Sequence, residues 1–340
     1  MKQANVVQKE SGDNAMKVLL VRLSSMGDLI HTLPAVNDLS VCRPDIELHW
    51  LCEAGFADIA RLHPFVKKIH TLSWRQWRKR LGKRETWQEI GRLKTNLRQE
   101  KFDLVLDSQS LIKSALPAKM AGAPVWGLDK YSARESWAAC LYNRVFPVPK
   151  SRDAVWRNRS LFAQAFGYEL PEKLIFGAQI PGKDRLKTEK PYYVALHATS
   201  RDSKLWQPKY WRELMRLMHE RDGGTIYLPW GSEKEKSRAE SLSDGLPYVR
   251  VCDKMNLMQA AELLQDAAGV VGVDTGLLHL ANAFDKPLVG IYTDTDPIKT
   301  GVQVSAVAKN LGNIGQIPTA DLVYQTLMDC VAADEGSKVV

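Results

Sequence analysis

Asp28 stands in the stretch RLSSMGDLIHTLPA, directly after the apolar run MKVLLV. A short apolar strand, a turn of small residues and a resumed amphipathic pattern make the first half of a βαβ unit, whose ligand crevice lies at the strand's carboxyl end. Asp28 is thereby placed at a crevice. Further along, HATSRDSKLW carries hydroxyls at Thr199 and Ser200 and an ammonium at Lys204. Such a set can hold a diphosphate by charge-assisted hydrogen bonds, although a helix-capping turn uses the same residue types. In GVDTGLLHLA, Asp274, Thr275 and Gly276 open a helix. Exposed N–H groups and the positive dipole end suit a phosphate there, and an N-cap by Asp274 or Thr275 reads identically. His279, one turn inside, is either turned to the ligand or structural. GSEKEK follows the strand TIYL, and a carboxylate in it, Glu233 or Glu235, is suited to paired ribose hydroxyls or to a charged first helical turn. TDTDP contains a DxD triplet of the divalent-metal type. A turn at Asp-Pro explains it equally, and the further oxygen ligands a hard cation needs are missing nearby, so no metal is assigned.

These loops require strands and helices in alternation. Apolar runs at 17–22, 47–52, 68–72 and 104–107 read as strands, with helical patterns at about 30–40, 55–63 and 111–122. This is a βαβ series for a parallel sheet. Between 146 and 181 the pattern loosens around four prolines, with a helical stretch at 155–166, and a domain boundary is expected near 180. The scheme then restarts: strands at 192–196, 225–228, 248–251, 269–273 and 288–291, and helices at 210–220, 233–242, 257–265 and 276–283. The expected fold is α/β, two Rossmann-like doubly wound parallel-sheet domains, 16–180 and 181–340, facing a cleft, behind a polar extension 1–15.

Composition agrees with a folded protein: 340 residues exceed what one core usually supports, and 45% are hydrophobic and 25% charged. The five cysteines show no CxxC pair or metal-ligand spacing, which suits free, mostly buried thiols in a reducing compartment. No apolar run approaches the roughly 18 residues of a membrane span, and the start of the chain lacks a signal-peptide core, so a cytoplasmic location is expected. The net charge of +8 concentrates at 73–100, where nine Lys/Arg face three Glu and Trp74, Trp77 and Trp87 are interleaved. That mixture suits a lipid headgroup layer, or else a solvated helix face with its tryptophans turned inward. Neither GxGxxG after the first strand nor GxxxxGK[ST] is present, which argues against a nicotinamide dehydrogenase or a P-loop ATPase.

Taken together, MKVLLVRLSSMGDLIHTLPA, FDLVLDSQSLIKSA, YSARES, LHATSRDSKLWQPKYW, LPWGSEKEKSRA and VDTGLLHLANAFDKPLVGIYTDTDP resemble glycosyltransferase family 9, the ADP-heptose:lipopolysaccharide heptosyltransferases, and within it the branch that adds the first heptose. The likeness runs from about residue 16 to 332. It implies a GT-B fold with an N-terminal acceptor domain and a C-terminal nucleotide-sugar domain. It also implies inverting transfer of L-glycero-D-manno-heptose from ADP-heptose to the first Kdo of Kdo2-lipid A. Asp28 corresponds to the family's catalytic base, with Ser24, Ser25 and Gly27 letting the acceptor come close. Thr199, Ser200 and Lys204 match diphosphate contacts, Asp274, Thr275, Gly276 and His279 the donor loop, and Met255 a residue beside the adenine. Glu235 is the better match for the ribose carboxylate, with Glu233 the alternative. Arg75, Arg78 and Lys79 align with a basic acceptor segment, Lys113 and Arg134 with cations suited to Kdo carboxylates and lipid A phosphates. The resemblance calls for no cofactor, no metal and no nucleic acid. A monomer, peripheral on the cytoplasmic face of the inner membrane, is expected. The sequence departs from the family's pattern in its leader and at Ser110, where glycine often follows Gln109. Two other readings stay open: a family member adding a later heptose, and a non-catalytic basic adaptor binding anionic lipid or nucleic acid.

Overall fold

The computed structural model describes residues 15–181, 188 and 191–338, so nearly all of the polar extension expected at 1–15 lies outside the described residues. The chain divides into two compact units, one ending at Gln179 and the other beginning at Ile180. In the first, β1 (Met16–Val21), β2 (Ile46–Glu53), β3 (Val66–Leu72), β4 (Leu104–Asp107), β5 (Val125–Leu128) and β6 (Arg144–Phe146) form one sheet in the order β3-β2-β1-β4-β5-β6. The second contains β7 (Tyr192–Leu196), β8 (Thr225–Leu228), β9 (Val249–Val251), β10 (Gly269–Val273), β11 (Leu288–Tyr292) and β12 (Ala308–Gly312), ordered β9-β8-β7-β10-β11-β12. All named strand pairs are parallel. Each sheet therefore has the doubly wound Rossmann order, and each reverses direction between its first and fourth strands.

The central strands are apolar because helices cover both faces of such a sheet. Val18, Leu19, Leu20 and Val21 are all fully buried, as are Val270, Val273 and their β11 partners Leu288 and Ile291. Helix boundaries follow local chemistry. Asp153 caps Ala154–Phe166 by accepting from the Trp156 N–H at 2.9 Å, and Gly167, at φ +72°, ends it. This helix lies on Leu33–Cys42, and between them the buried Arg159 guanidinium meets both oxygens of Asp38, at 2.7 and 3.2 Å. The helix Arg84–Gln99 buries Leu93 and Leu97 in a cluster with Trp77, Phe102 and Leu19. In the second unit Pro208–Asp222 starts on proline, ends at left-handed Gly223, and seats Trp211, Leu214 and Met215 against Val271 and Ile291.

Candidate active site

In the first unit, β1 leads through Arg22, Leu23, Ser24 and Ser25 into the short helix Met26–Ile30; the Ser24–Ser25 peptide is cis. The N–H and the hydroxyl of Ser25 both donate to Asp28 Oδ2, at 2.8 and 3.0 Å. Arg22 Nη2 approaches Asp28 Oδ1 to 3.2 Å, while its Nη1 donates to the Ser108 carbonyl. Burial pushes the Asp28 carboxyl up, but Arg22 and the two Ser25 donors outweigh it and hold the group below the usual carboxylate value. Asp28 is thus an anion at neutral pH, with its side chain 29% exposed to a ligand. His31, pushed down to about 4 by burial against the pull of Asp28, stays neutral. The two serines do more than keep the turn narrow: Ser25 orients the carboxylate, and Ser24 Oγ accepts from Lys113 Nζ at 2.9 Å.

The loop after β4 completes this cluster at the point where the strand order reverses. Asp107, fully buried, accepts from the N–H groups of Gln109 and Ser110 and from the hydroxyls of Ser114 and Tyr142, at 2.8 to 3.2 Å. Gln109 then joins the two loops: Oε1 accepts from Leu23 N–H at 2.8 Å, and Nε2 donates to the Ser24 carbonyl at 2.7 Å. Ser110 sits at φ +53°, in the left-handed region that glycine occupies at low cost.

A pocket beside Asp28 is lined by Arg22, Ser108, Gln109, Arg134 and Arg157, among others. Burial and the neighbouring Arg22 lower the pKa of Arg157, and burial, Arg134 and Arg75 lower that of Lys113 against the opposing Glu53 and Asp28. Several cations thus stand around Asp28, an arrangement that suits an anionic ligand. Lys113 and Arg134, named from sequence, are here; Arg22, Gln109 and Arg157 were missed. Arg22 was findable as the residue directly after β1. Arg157 was not, since a charge within a helical pattern ordinarily marks its solvent face.

Arg75, Arg78 and Lys79 are exposed on the helix Trp74–Lys79 at the carboxyl end of β3. Arg75 donates its N–H to Glu53 Oε1 at 3.1 Å and lies over the Phe56 ring. Of the two readings of the interleaved tryptophans, a lipid-facing surface or rings turned inward, Trp77 follows the second. Trp77 is buried, its indole N–H donating to Glu89 Oε2 at 2.6 Å, and Trp74 is half-buried. Only Trp87 of the three is exposed. The reason is that Arg84–Gln99 folds back over Trp77 and leaves its cations outward.

In the second unit the loops after β7, β10 and β11 converge on Asp274, which is 8% exposed. Lys204 Nζ donates to Asp274 Oδ2 at 2.6 Å, Thr295 Oγ1 to the same oxygen at 2.9 Å, and Thr199 Oγ1 to the Asp274 carbonyl at 2.7 Å. Through its carboxylate Asp274 thus holds Lys204 and Thr295 in place. Thr295 was missed, because its link to Asp274 exists only in three dimensions. Thr275 is the N-cap residue of Gly276–Ala283, with no side-chain cap bond, so the start of that helix is unclaimed by Thr275. His279 is buried in the same helix and Ser200 is exposed.

After β8, Glu235 is the third residue of the helix Glu233–Ser243 and closes a capping box with Ser232: its Oε2 accepts from Gly231 and Ser232 N–H at 2.7 and 3.0 Å, and Ser232 Oγ accepts from Glu235 N–H. That fixes the Glu235 carboxylate at the carboxyl end of β8, whereas Glu233 is exposed in the first turn. Trp230, whose indole N–H donates to the Cys252 carbonyl at 2.6 Å, ties this loop to the one after β9 that carries half-buried Met255. The DxD segment forms the turn: Asp296 caps Pro297–Thr300 by accepting from Ile298 N–H at 2.9 Å.

Comparison with known proteins agrees with this architecture. The family model described as "Glycosyltransferase family 9 (heptosyltransferase)" matches residues 90–332. Lipopolysaccharide heptosyltransferase 1 of Pseudomonas aeruginosa is 43% identical over 84% of this chain and 81% of its own length. Its namesake in Escherichia coli K12 is 40% identical over 83% and 89%. The solved structure of E. coli heptosyltransferase WaaC with ADP superposes with a TM-score of 0.85 at 36% identity, covering 93% of this chain and all of that one. With two Rossmann-like parallel-sheet units in the GT-B class and identity sustained over most of its length, this chain belongs to glycosyltransferase family 9, the heptosyltransferases.

Proposed function

We propose that this glycosyltransferase moves L-glycero-D-manno-heptose from ADP-heptose to the first Kdo of Kdo2-lipid A, in the inner core of lipopolysaccharide. The observation that carries this reading is the 40–43% identity to lipopolysaccharide heptosyltransferase 1 over more than four-fifths of the chain. It outweighs addition of a later heptose, and the enzyme family displaces the non-catalytic adaptor. The nucleotide sugar belongs to the second unit and the acceptor to the first, near the membrane's cytoplasmic face. No helix among the described residues is long and apolar enough to cross a membrane.

The proposed chemistry uses groups already described. A Kdo hydroxyl gives its proton to the Asp28 carboxylate as its oxygen bonds to the anomeric carbon of heptose. The bond from that carbon to the diphosphate breaks, ADP leaves with the electron pair, and the configuration inverts in one displacement. Base assistance of this kind typically contributes about 10² to 10⁴ in rate. Lys204, oriented by Asp274, offsets charge growing on the leaving diphosphate, with Thr199, Ser200 and the Thr275–Gly276 turn as further contacts and His279 beneath them. Glu235 takes the ribose hydroxyls, and Met255 packs beside adenine. Arg134, Arg157 and Lys113 receive acceptor carboxylates, and Arg75, Arg78 and Lys79 its phosphates. No step calls on a metal or a cofactor. The deciding experiment supplies ADP-heptose with either Kdo2-lipid A or the same acceptor already bearing its first heptose. Turnover of the first alone is expected; turnover of the second alone would assign the later addition.

A further inference from the structure

The first unit carries an apolar and aromatic patch outside the Asp28 pocket. The helix Ile112–Met120 buries Ser114, Ala115, Pro117 and Ala118, yet points Ile112 and Leu116, one turn apart, to the outside. Beside it packs the 3-10 segment Ser136–Leu141, tied on by the Ile112 N–H donating to Glu135 Oε2 at 2.8 Å. On and near that segment Trp137 is 75% exposed and Tyr131 is 73% exposed. Large apolar side chains gathered this way on a surface mark an interaction site.

The charge around them identifies the partner. From 112 to 141 the chain has Lys113, Lys119, Lys130 and Arg134 against Asp129 and Glu135. Lys119, Lys130 and Arg134 are exposed, and the Lys130 ammonium lies 4.8 Å from the Tyr131 ring. Tryptophan and tyrosine favour the headgroup level of a bilayer, and lysine is drawn there by anionic lipid. A second copy of the chain docking by a two-fold contact would instead set these cations against themselves.

We propose that Ile112, Leu116, Tyr131 and Trp137, rimmed by Lys119 and Lys130, dock the protein on an anionic phospholipid bilayer. Its purpose rests on the reading of a lipid-linked acceptor: Arg134 belongs both to this rim and to the Asp28 pocket, so an acceptor anchored in the bilayer meets the pocket from the patch. The basic helix Arg84–Gln99 packs beside Ile112–Met120 and widens the cationic rim.

The test is flotation of the full chain with vesicles of phosphatidylethanolamine and phosphatidylglycerol, compared with vesicles of phosphatidylcholine alone. Wild type is expected to float with the anionic vesicles, and the double variant Tyr131→Ser/Trp137→Ser to lose about tenfold in affinity, as removal of two interfacial aromatics implies. Both side chains are largely exposed, so the fold should survive, which circular dichroism checks. A polarity-sensitive dye on the exposed Cys140 should shift to the blue on anionic vesicles in the wild type only. With ADP-heptose, the double variant should lose turnover of vesicle-borne Kdo2-lipid A and keep turnover of its deacylated, water-soluble form. Vesicle binding unchanged in the double variant, or equal binding to neutral vesicles, overturns the patch. So does a concentration-dependent dimer that the double variant abolishes. If wild type floats through these residues but turns over neither acceptor, the patch stands and the assigned reaction falls.

Discussion

Asp28 owes its charge to a balance between burial, which raises its pKa, and Arg22 with the Ser25 donors, which lower it. That balance makes two predictions. Asp28→Asn keeps the shape and removes the proton acceptor, so kcat should fall about 100-fold or more while ADP affinity in calorimetry stays near wild type. A near-normal kcat would remove Asp28 from the mechanism. Arg22→Gln deletes the main group opposing burial, so the Asp28 pKa should rise and the acid limb of kcat/KM should move to higher pH. The sign follows because the ionised form is the active one: activity is lost as pH falls through the pKa, and a higher pKa brings that loss sooner. Superimposable pH profiles would show that Arg22 does not tune the base. On the donor side, Lys204→Ala removes a cation that Asp274 holds at 2.6 Å, and a charge-assisted contact is worth about 1.5–3 kcal/mol. ADP binding should weaken about tenfold or more; unchanged ADP affinity together with unchanged kcat would exclude the role.

The loop after β4 shows how an element positions side chains it does not itself contain. Asp107 gathers four donors, which sets Gln109, which in turn pins the β1 turn through Leu23 and Ser24. The cost of that path is visible at Ser110, whose φ of +53° is unfavourable for a residue with a Cβ by about 1–2 kcal/mol. Ser110→Gly should therefore stabilise the protein by about 1 kcal/mol once glycine's greater unfolded-state entropy is subtracted. Urea denaturation measures this as a higher midpoint at unchanged slope. A lower midpoint would mean that the Ser110 side chain contributes more than its backbone strain removes.

Over the whole molecule the charge is uneven, and the excess at 73–100 belongs to the same unit as Asp28. A multiply anionic glycolipid is the natural counterpart for nine cations, and attraction between exposed charges decays within about 8 Å at physiological salt. Added salt should thus raise the KM for Kdo2-lipid A far more than the KM for ADP-heptose. Replacing Arg75, Arg78 and Lys79 together by alanine should reproduce the high-salt KM and flatten its further salt dependence. Loss of ADP-heptose binding with the acceptor KM unchanged would instead assign these residues to the donor.

What the amino-acid order determined by itself was whatever leaves a local trace. Strands buried on both faces are mostly apolar, so β1, β4, β7, β10 and β11 were legible, and with them the loop ends where Asp28, Lys204 and Asp274 stand; β2, β3, β8 and β9 were read as well, from shorter or more mixed runs. Strands β5, β6 and β12 escaped: VWGL is short and carries a glycine, RVF is three residues, and AKNLG has little apolar character. Such segments become strands because a neighbouring strand offers them hydrogen bonds, which no local pattern records. Tertiary structure alone decided that Trp77 turns inward under Arg84–Gln99, that Lys204 pairs with a carboxylate 70 residues away, and that Arg157 joins Arg22 beside Asp28. In each case the deciding partner is distant in the chain, and burial or charge pairing exists only after folding has brought it close.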